Sequence, residues 1–138
     1  MLLRSDAEIA LDEALLAAAE AGRLYREAAS KCQSPARPQL AAAADLRDQA
    51  AEELAEASRR AGWLPRVPDP DAEAARAIGD ELEVALEGDC EAPLQKERQR
   101  ADSDAVDKLR LLLAIEGLPA PVAETASRVL SQLAPPGR

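Results

Sequence analysis

The sequence predicts an all-α protein built as a four-helix bundle, on the evidence of its composition and its hydrophobic spacing. Alanine and leucine dominate the 47% hydrophobic fraction, whereas phenylalanine is absent and tryptophan and tyrosine occur once each. Strands favour β-branched and aromatic residues, and helices favour Ala, Leu, Glu and Arg. Apolar residues also recur at alternating steps of three and four, as in amphipathic helices. With 138 residues, the chain is expected to form a single domain over 1–138.

The first helix is predicted to begin near Ser5, because Ser5 and Glu8 have the spacing of a capping box. It is expected to end near Gln33. Its apolar stripe is continuous and comprises Leu11, Leu15, Ala18, Gly22, Tyr25, Ala29 and Cys32. A separate row, which we assign to the solvent face, is formed by Glu13, Glu20 and Glu27.

A second helix is predicted to start at Ser34 and Pro35, since serine caps helices and proline is tolerated in the first turn. The short link to the first helix predicts that the two helices run antiparallel. Gly62 is the expected end of this helix. The inward stripe carries one charge and consists of Leu40, Ala43, Arg47, Ala50, Leu54, Ala57 and Ala61.

A long connection is predicted between the second and third bundle helices. Prolines at 65, 68 and 70 are incompatible with continuous helix, and Trp63 and Leu64 are expected to fold back onto the bundle. A short amphipathic helix is predicted over 75–86, ending at Gly88. A crossover of roughly 27 residues that joins two antiparallel hairpins is the ferritin-like arrangement.

The last two bundle helices are predicted on either side of Gly117. The third begins near Asp89 and extends to Gly117, with an inward stripe of Leu94, Arg98, Ala101, Ala105, Leu109, Leu112 and Ile115. A turn over 117–121 leads into a shorter fourth helix, whose apolar face consists of Val122, Ala126, Val129, Leu130 and Leu133.

The acidic charge balance limits the kinds of partner and the location that we expect. The net charge of −9 disfavours nucleic acid and anionic membranes as partners, because both attract basic surfaces. The acidic residues near the start exclude a signal peptide or a membrane span there, so a cytoplasmic protein is expected.

Cys32 and Cys90 lack any metal-ligand spacing, and we expect them to be buried, reduced thiols.

Three segments resemble a known family: GRLYREAA at 22–29, RDQAAEELA at 47–55, and LEGDCEA at 86–92 before a long helix. On these segments the chain resembles a family of small bacterial ferritin-like four-helix-bundle proteins of unknown function. The resemblance covers nearly the whole chain. It implies a protein that acts through protein contacts in a bacterial stress response.

The standard ferritin-like metal site is not expected. Relatives that bind two metal ions place a Glu on each of two helices and a Glu-x-x-His on each of the others, but this sequence contains no histidine. We therefore predict no metal, cofactor or catalytic residue. The alternative is an iron or manganese oxidase or storage protein that uses carboxylates alone. Its candidate ligands are Glu53, Glu56, Asp102 and Glu124.

Enzymatic chemistry of other kinds is also disfavoured. The absence of histidine excludes Ser–His and Cys–His nucleophilic arrangements, and no glycine-rich phosphate loop is present. Tyr25 is interpreted as a core residue whose hydroxyl bonds to a facing helix, since no histidine base accompanies it.

The two inward arginines require neutralisation, because an unpaired buried charge is costly. We expect Arg98 to pair with Asp102 one turn later, and Arg47 to pair with Asp102 or Glu53. An anion-binding pocket at these arginines is the alternative.

A homodimer is predicted because the helices carry more apolar surface than one small bundle covers. The residues that suggest it are Leu16, Leu24, Leu46, Leu111 and Leu113. An unidentified protein partner and an apolar ligand held between the helices are further alternatives.

Overall fold

The computed structural model describes residues 5–32, 36–64 and 92–134, with side chains from residue 95 onward in the last range. Within these ranges the chain forms helices and no strand, which confirms the all-α fold class there. The helices are α1 (Asp6–Lys31), α2 (Ala36–Arg60), α3 (Ala92–Leu113) and α4 (Ala120–Leu133). The start predicted at Ser34 and Pro35, the short helix predicted over 75–86 and the start at Asp89 lie outside the described residues.

The helix ends follow local chemistry. The Glu8 amide donates to Ser5 Oγ at 3.2 Å, and the Glu8 carboxylate accepts from the Ser5 amide, so the predicted capping box is confirmed. Gly62 follows α2 with a φ of +82°, a backbone conformation that favours glycine. The prediction that α3 continues to Gly117 was wrong, since α3 ends at Leu113 and a turn follows.

The contact between α1 and α2 is close and antiparallel. Gly22 faces Asp48, and a Cβ atom at position 22 would collide with the Asp48 carboxylate. One turn later Arg26 forms an ion pair with Asp48, and near the end of α1 the Ala29 carbonyl accepts from Arg37 at 3.0 Å. The residue numbers in α2 fall as those in α1 rise, so the two helices run in opposite directions.

Helix α3 lies on the other side of α1 and is also antiparallel to it. Tyr25 near the end of α1 contacts Asp102 in the first half of α3, and Glu13 pairs with Lys108 in the second half. Helices α2 and α3 are therefore parallel to each other, and the end of α2 and the start of α3 lie at opposite ends of the bundle. Helix α4 packs against α2 and α3 and completes the ring of four helices.

The apolar core, as we call the larger cluster of buried side chains, lies where all four helices meet. Its large members include Leu11, Leu15, Leu54, Leu109, Leu112, Val122 and Val129. Trp63 packs against this core as predicted, but Leu64 does not, because 86% of its surface is exposed. Leu24 was expected on the outer flank but is buried.

A smaller end cluster of buried side chains, contributed by the end of α1 and the start of α2, lies at the other end of the bundle. It consists of Ala28, Ala29, Cys32 and Leu40, with Tyr25 packed against it. Helix α4 has 14 residues and α1 has 26, so at 1.5 Å per residue α4 is about half as long. None of the described helices has the length and apolarity needed to cross a membrane.

Candidate functional site: a buried polar layer

Four polar side chains lie between the apolar core and the end cluster. Tyr25 projects from α1, Arg47 from α2, and Arg98 and Asp102 from α3, one turn apart. All four occupy or adjoin inward positions on the apolar stripes of these helices. We call this group the polar layer.

Tyr25 donates its phenolic hydrogen to Asp102 Oδ2 at 2.6 Å. This bond joins α1 to the facing helix α3, as the sequence predicted. Burial raises the pKa of Tyr25 above its ordinary value, and the hydrogen bond to the Asp102 carboxylate raises it further. The hydroxyl therefore stays protonated at neutral pH and acts as a fixed donor.

Arg47 holds the same carboxylate in a two-pronged contact. Its Nε atom donates to Asp102 Oδ1 at 2.7 Å and its Nη2 atom donates to Asp102 Oδ2 at 3.0 Å. The Nη1 atom donates to the Ala43 carbonyl at 2.9 Å, and the guanidinium carbon lies 3.8 Å from the centroid of the Tyr25 ring. Paired donors to a carboxylate and stacking on an aromatic face are both favourable for arginine. The predicted pairing of Arg47 with Asp102 is confirmed.

The predicted pairing of Arg98 with Asp102 was wrong. Arg98 is 7% exposed, and its buried Nη1 atom has no hydrogen-bond partner. Its guanidinium carbon lies over the Tyr25 ring, 5.4 Å from the ring centroid. The physical reason is geometric, because Arg47 and Tyr25 approach the Asp102 oxygens from the two facing helices and supply the three hydrogen bonds.

The candidate metal-binding acids are not brought together. Glu53 pairs with Arg128 of α4 at 3.3 Å, Glu56 pairs with Arg59 at 3.0 Å, and Glu124 is exposed. Asp102 is engaged in the polar layer. Over the described ranges, no group of three or more His, Cys, Asp or Glu side chains has an arrangement suited to a metal ion.

An open cavity of about 630 Å³ adjoins the polar layer at Asp102. It is lined mainly by polar side chains of α3, with one residue from the end of α4: Gln99, Asp102, Ser103, Val106, Asp107, Arg110 and Leu133. A lining of this kind suits water and polar groups better than the apolar ligand considered from the sequence.

Two contacts could not be read from the sequence. The pairing of Glu53 with Arg128 and the stacking of Arg47 on Tyr25 join different helices, so no three- or four-residue spacing indicates them. An inward charge on an apolar stripe was the available signal, and it identified Arg47 and Arg98 and one of the two candidate partners of Arg47, but not the surroundings of Arg98.

The described contacts define an all-helical bundle protein with a polar layer between two apolar clusters. No protein-family model, curated protein or solved structure matches this chain.

Proposed function

We propose that this protein is a ferritin-like four-helix bundle that acts through contacts with other proteins, without catalysis and without a standard di-metal site. The observation that carries the proposal is the hydrogen bonding of Asp102, the inward carboxylate of the polar layer. Its oxygens accept hydrogen bonds from Arg47 and Tyr25. A metal ion at this position would compete with a guanidinium for the same oxygens and would be repelled by its charge.

The directions of the helices support the ferritin-like topology. Because α2 and α3 both run antiparallel to α1, the connection between them begins at one end of the bundle and ends at the other. Up-and-down bundles with short loops place these two ends side by side, whereas ferritin-like bundles do not. The resemblance at 22–29, 47–55 and 86–92 is the support for a role in a bacterial stress response.

Exposed apolar side chains on α1 and α3 support contact with another protein, which we propose to be a second copy of this chain. Leu111 is 61% exposed and Ile9 is 44% exposed. The ion pair between Glu13 and Lys108 places Ile9 and Leu111 at the same level of two antiparallel helices. Large apolar side chains grouped on a surface are typical of protein interfaces.

Light scattering on the purified protein at micromolar concentration tests this interface. The expected mass is twice 14.6 kDa, and the Leu111→Glu variant should give the monomer mass because it places a charge in the contact. The matched control is Gln132→Glu, which adds the same charge at an exposed position of α4 and should remain dimeric. A monomer mass for the unaltered protein would refute the homodimer.

Metal analysis on protein purified without chelator tests the absence of a di-metal site. We expect less than about half an equivalent of iron, manganese or zinc, since hard cations require several free oxygen ligands. A full equivalent that disappears in the Asp102→Asn variant would contradict the proposal and favour the carboxylate-only oxidase or storage protein.

A further inference from the structure

Arg98 is a buried cation to which no described residue supplies an anion. Its exposed fraction is 7%, its Nη1 atom is buried without a hydrogen-bond partner, and no described carboxylate lies within ion-pair distance of it. Burying an unpaired charge normally costs several kcal/mol. Exposed arginines of α3, such as Arg100, carry no such cost.

The polar layer has an excess of one positive charge. Arg47 and Arg98 are both cationic, Tyr25 is neutral, and Asp102 supplies one negative charge. Asp102 accepts its three hydrogen bonds from Arg47 and Tyr25 and none from Arg98. Glu97 is the neighbouring carboxylate on α3; one of its oxygens is also buried without a partner, and it does not pair with Arg98.

The Tyr25 ring lies beside Arg98. The guanidinium carbon lies over the Tyr25 ring at 5.4 Å from its centroid. Arg98 is therefore a buried donor beside an aromatic ring, and a charge-assisted hydrogen bond is stronger at a buried position than in water.

We propose that Arg98 is the anchor of a binding site for a small monocarboxylate, with the Tyr25 ring beside it. The planar guanidinium fork matches a carboxylate with two parallel hydrogen bonds. One negative charge neutralises the polar layer, whereas a phosphate dianion leaves an excess negative charge in a buried place. This site is independent of the protein contacts proposed above.

Titration with sodium butyrate at constant ionic strength tests the site, with sodium chloride and sodium phosphate as comparison salts. The readouts are the NMR resonances of the arginine Nε–H groups and of the Tyr25 ring. We expect saturable shifts with butyrate at concentrations below about 10 mM, and neither saturation nor comparable shifts with chloride or phosphate. No saturable shift with butyrate, or a tighter response to phosphate, would overturn the proposal.

Two variants with a matched control assign the effect to Arg98. Arg98→Gln should weaken butyrate binding at least about tenfold by removing the charge and the fork, and Arg98→Lys should weaken it less. Arg100→Gln removes an exposed charge from the same helix and should bind like the unaltered protein. Without butyrate, the melting temperature of Arg98→Gln should be no lower than that of the unaltered protein, and this result would show that the variant folds. Equal binding by Arg98→Gln and Arg100→Gln would overturn the assignment.

Discussion

The apolar core and the polar layer are stabilised in different ways although the same helices form both. The apolar core joins all four helices through side chains such as Leu54, Leu109 and Val129, and its stabilisation is nondirectional and grows with buried area. The polar layer joins α1, α2 and α3 through three hydrogen bonds to one carboxylate. Its contribution depends on geometry and on the balance of charge.

This difference explains why binding is expected in one region and not in the other. An apolar core tolerates exchanges of similar volume and provides no polar group for a ligand. A polar layer fixes the positions of its donors, and any donor left over remains costly until it finds an acceptor. In this protein the donor left over is Arg98.

The largest expected effect comes from truncating the apolar core. Leu54→Ala should lower the free energy of unfolding by about 3 to 4 kcal/mol, because it removes buried methyl groups and leaves a cavity. Denaturant unfolding measures this change, and raising the salt concentration should not alter it. Leu64→Ala is the control, since Leu64 is 86% exposed, and should change stability by less than about 0.5 kcal/mol.

Removing the shared carboxylate should have the next largest effect. Asp102→Ala leaves Arg47 and Arg98 together without the shared carboxylate, and only 11% of the Arg47 side chain is exposed. We therefore expect the free energy of unfolding to fall by about 3 kcal/mol. Asp104→Ala removes an exposed acid from the same helix and should change stability by less than about 0.5 kcal/mol. If the two variants unfold alike, the polar layer contributes nothing to the fold.

Sequence patterns predicted the apolar core well and the pairing within the polar layer only in part. The stripes of α1 and α4 were right because apolar side chains need only a common face, which the helical repeat determines. The predicted partner of Arg98 was wrong because that prediction used only the i,i+4 spacing to Asp102 within one helix. Arg47 reaches the same carboxylate from another helix with better geometry, and sequence spacing does not encode that approach.

The early end of α3 has a related explanation. The apolar pattern of α3 continues to Ile115 and suggests a longer helix, but Gly117 adopts a φ of +79° and the chain turns before it. The end of α3 is set by the geometry of this turn, which hydrophobic spacing does not predict.

A smaller effect is expected from removing the hydroxyl of Tyr25. Tyr25→Phe should lower the free energy of unfolding by about 1.5 kcal/mol, because it removes a hydrogen bond to a charged group while the ring and its contact with Arg47 remain. Thermal or denaturant unfolding at neutral pH measures the loss. A variant as stable as the unaltered protein would show that the bond at 2.6 Å contributes nothing.

The same variant should change how stability depends on pH. The pKa of Tyr25 is raised in the folded protein, by burial first and then by the bond to Asp102, so above about pH 10 the unfolded chain loses this proton before the folded protein does. The contribution of Tyr25 is present below that pH and is lost as the pH rises through the folded pKa. Tyr25→Phe should show a shallower decline in this range, and an equal decline would contradict the assignment.

Double-mutant cycles for the two arginines against Asp102 test most directly whether Asp102 belongs to Arg47 and leaves Arg98 without an anion. The cycles combine Arg47→Met or Arg98→Met with Asp102→Ala and measure the free energy of unfolding of each variant. We expect a coupling energy of about 2 kcal/mol between Arg47 and Asp102, and of less than about 1 kcal/mol between Arg98 and Asp102. A coupling between Arg98 and Asp102 equal to or larger than that of Arg47 would contradict this arrangement.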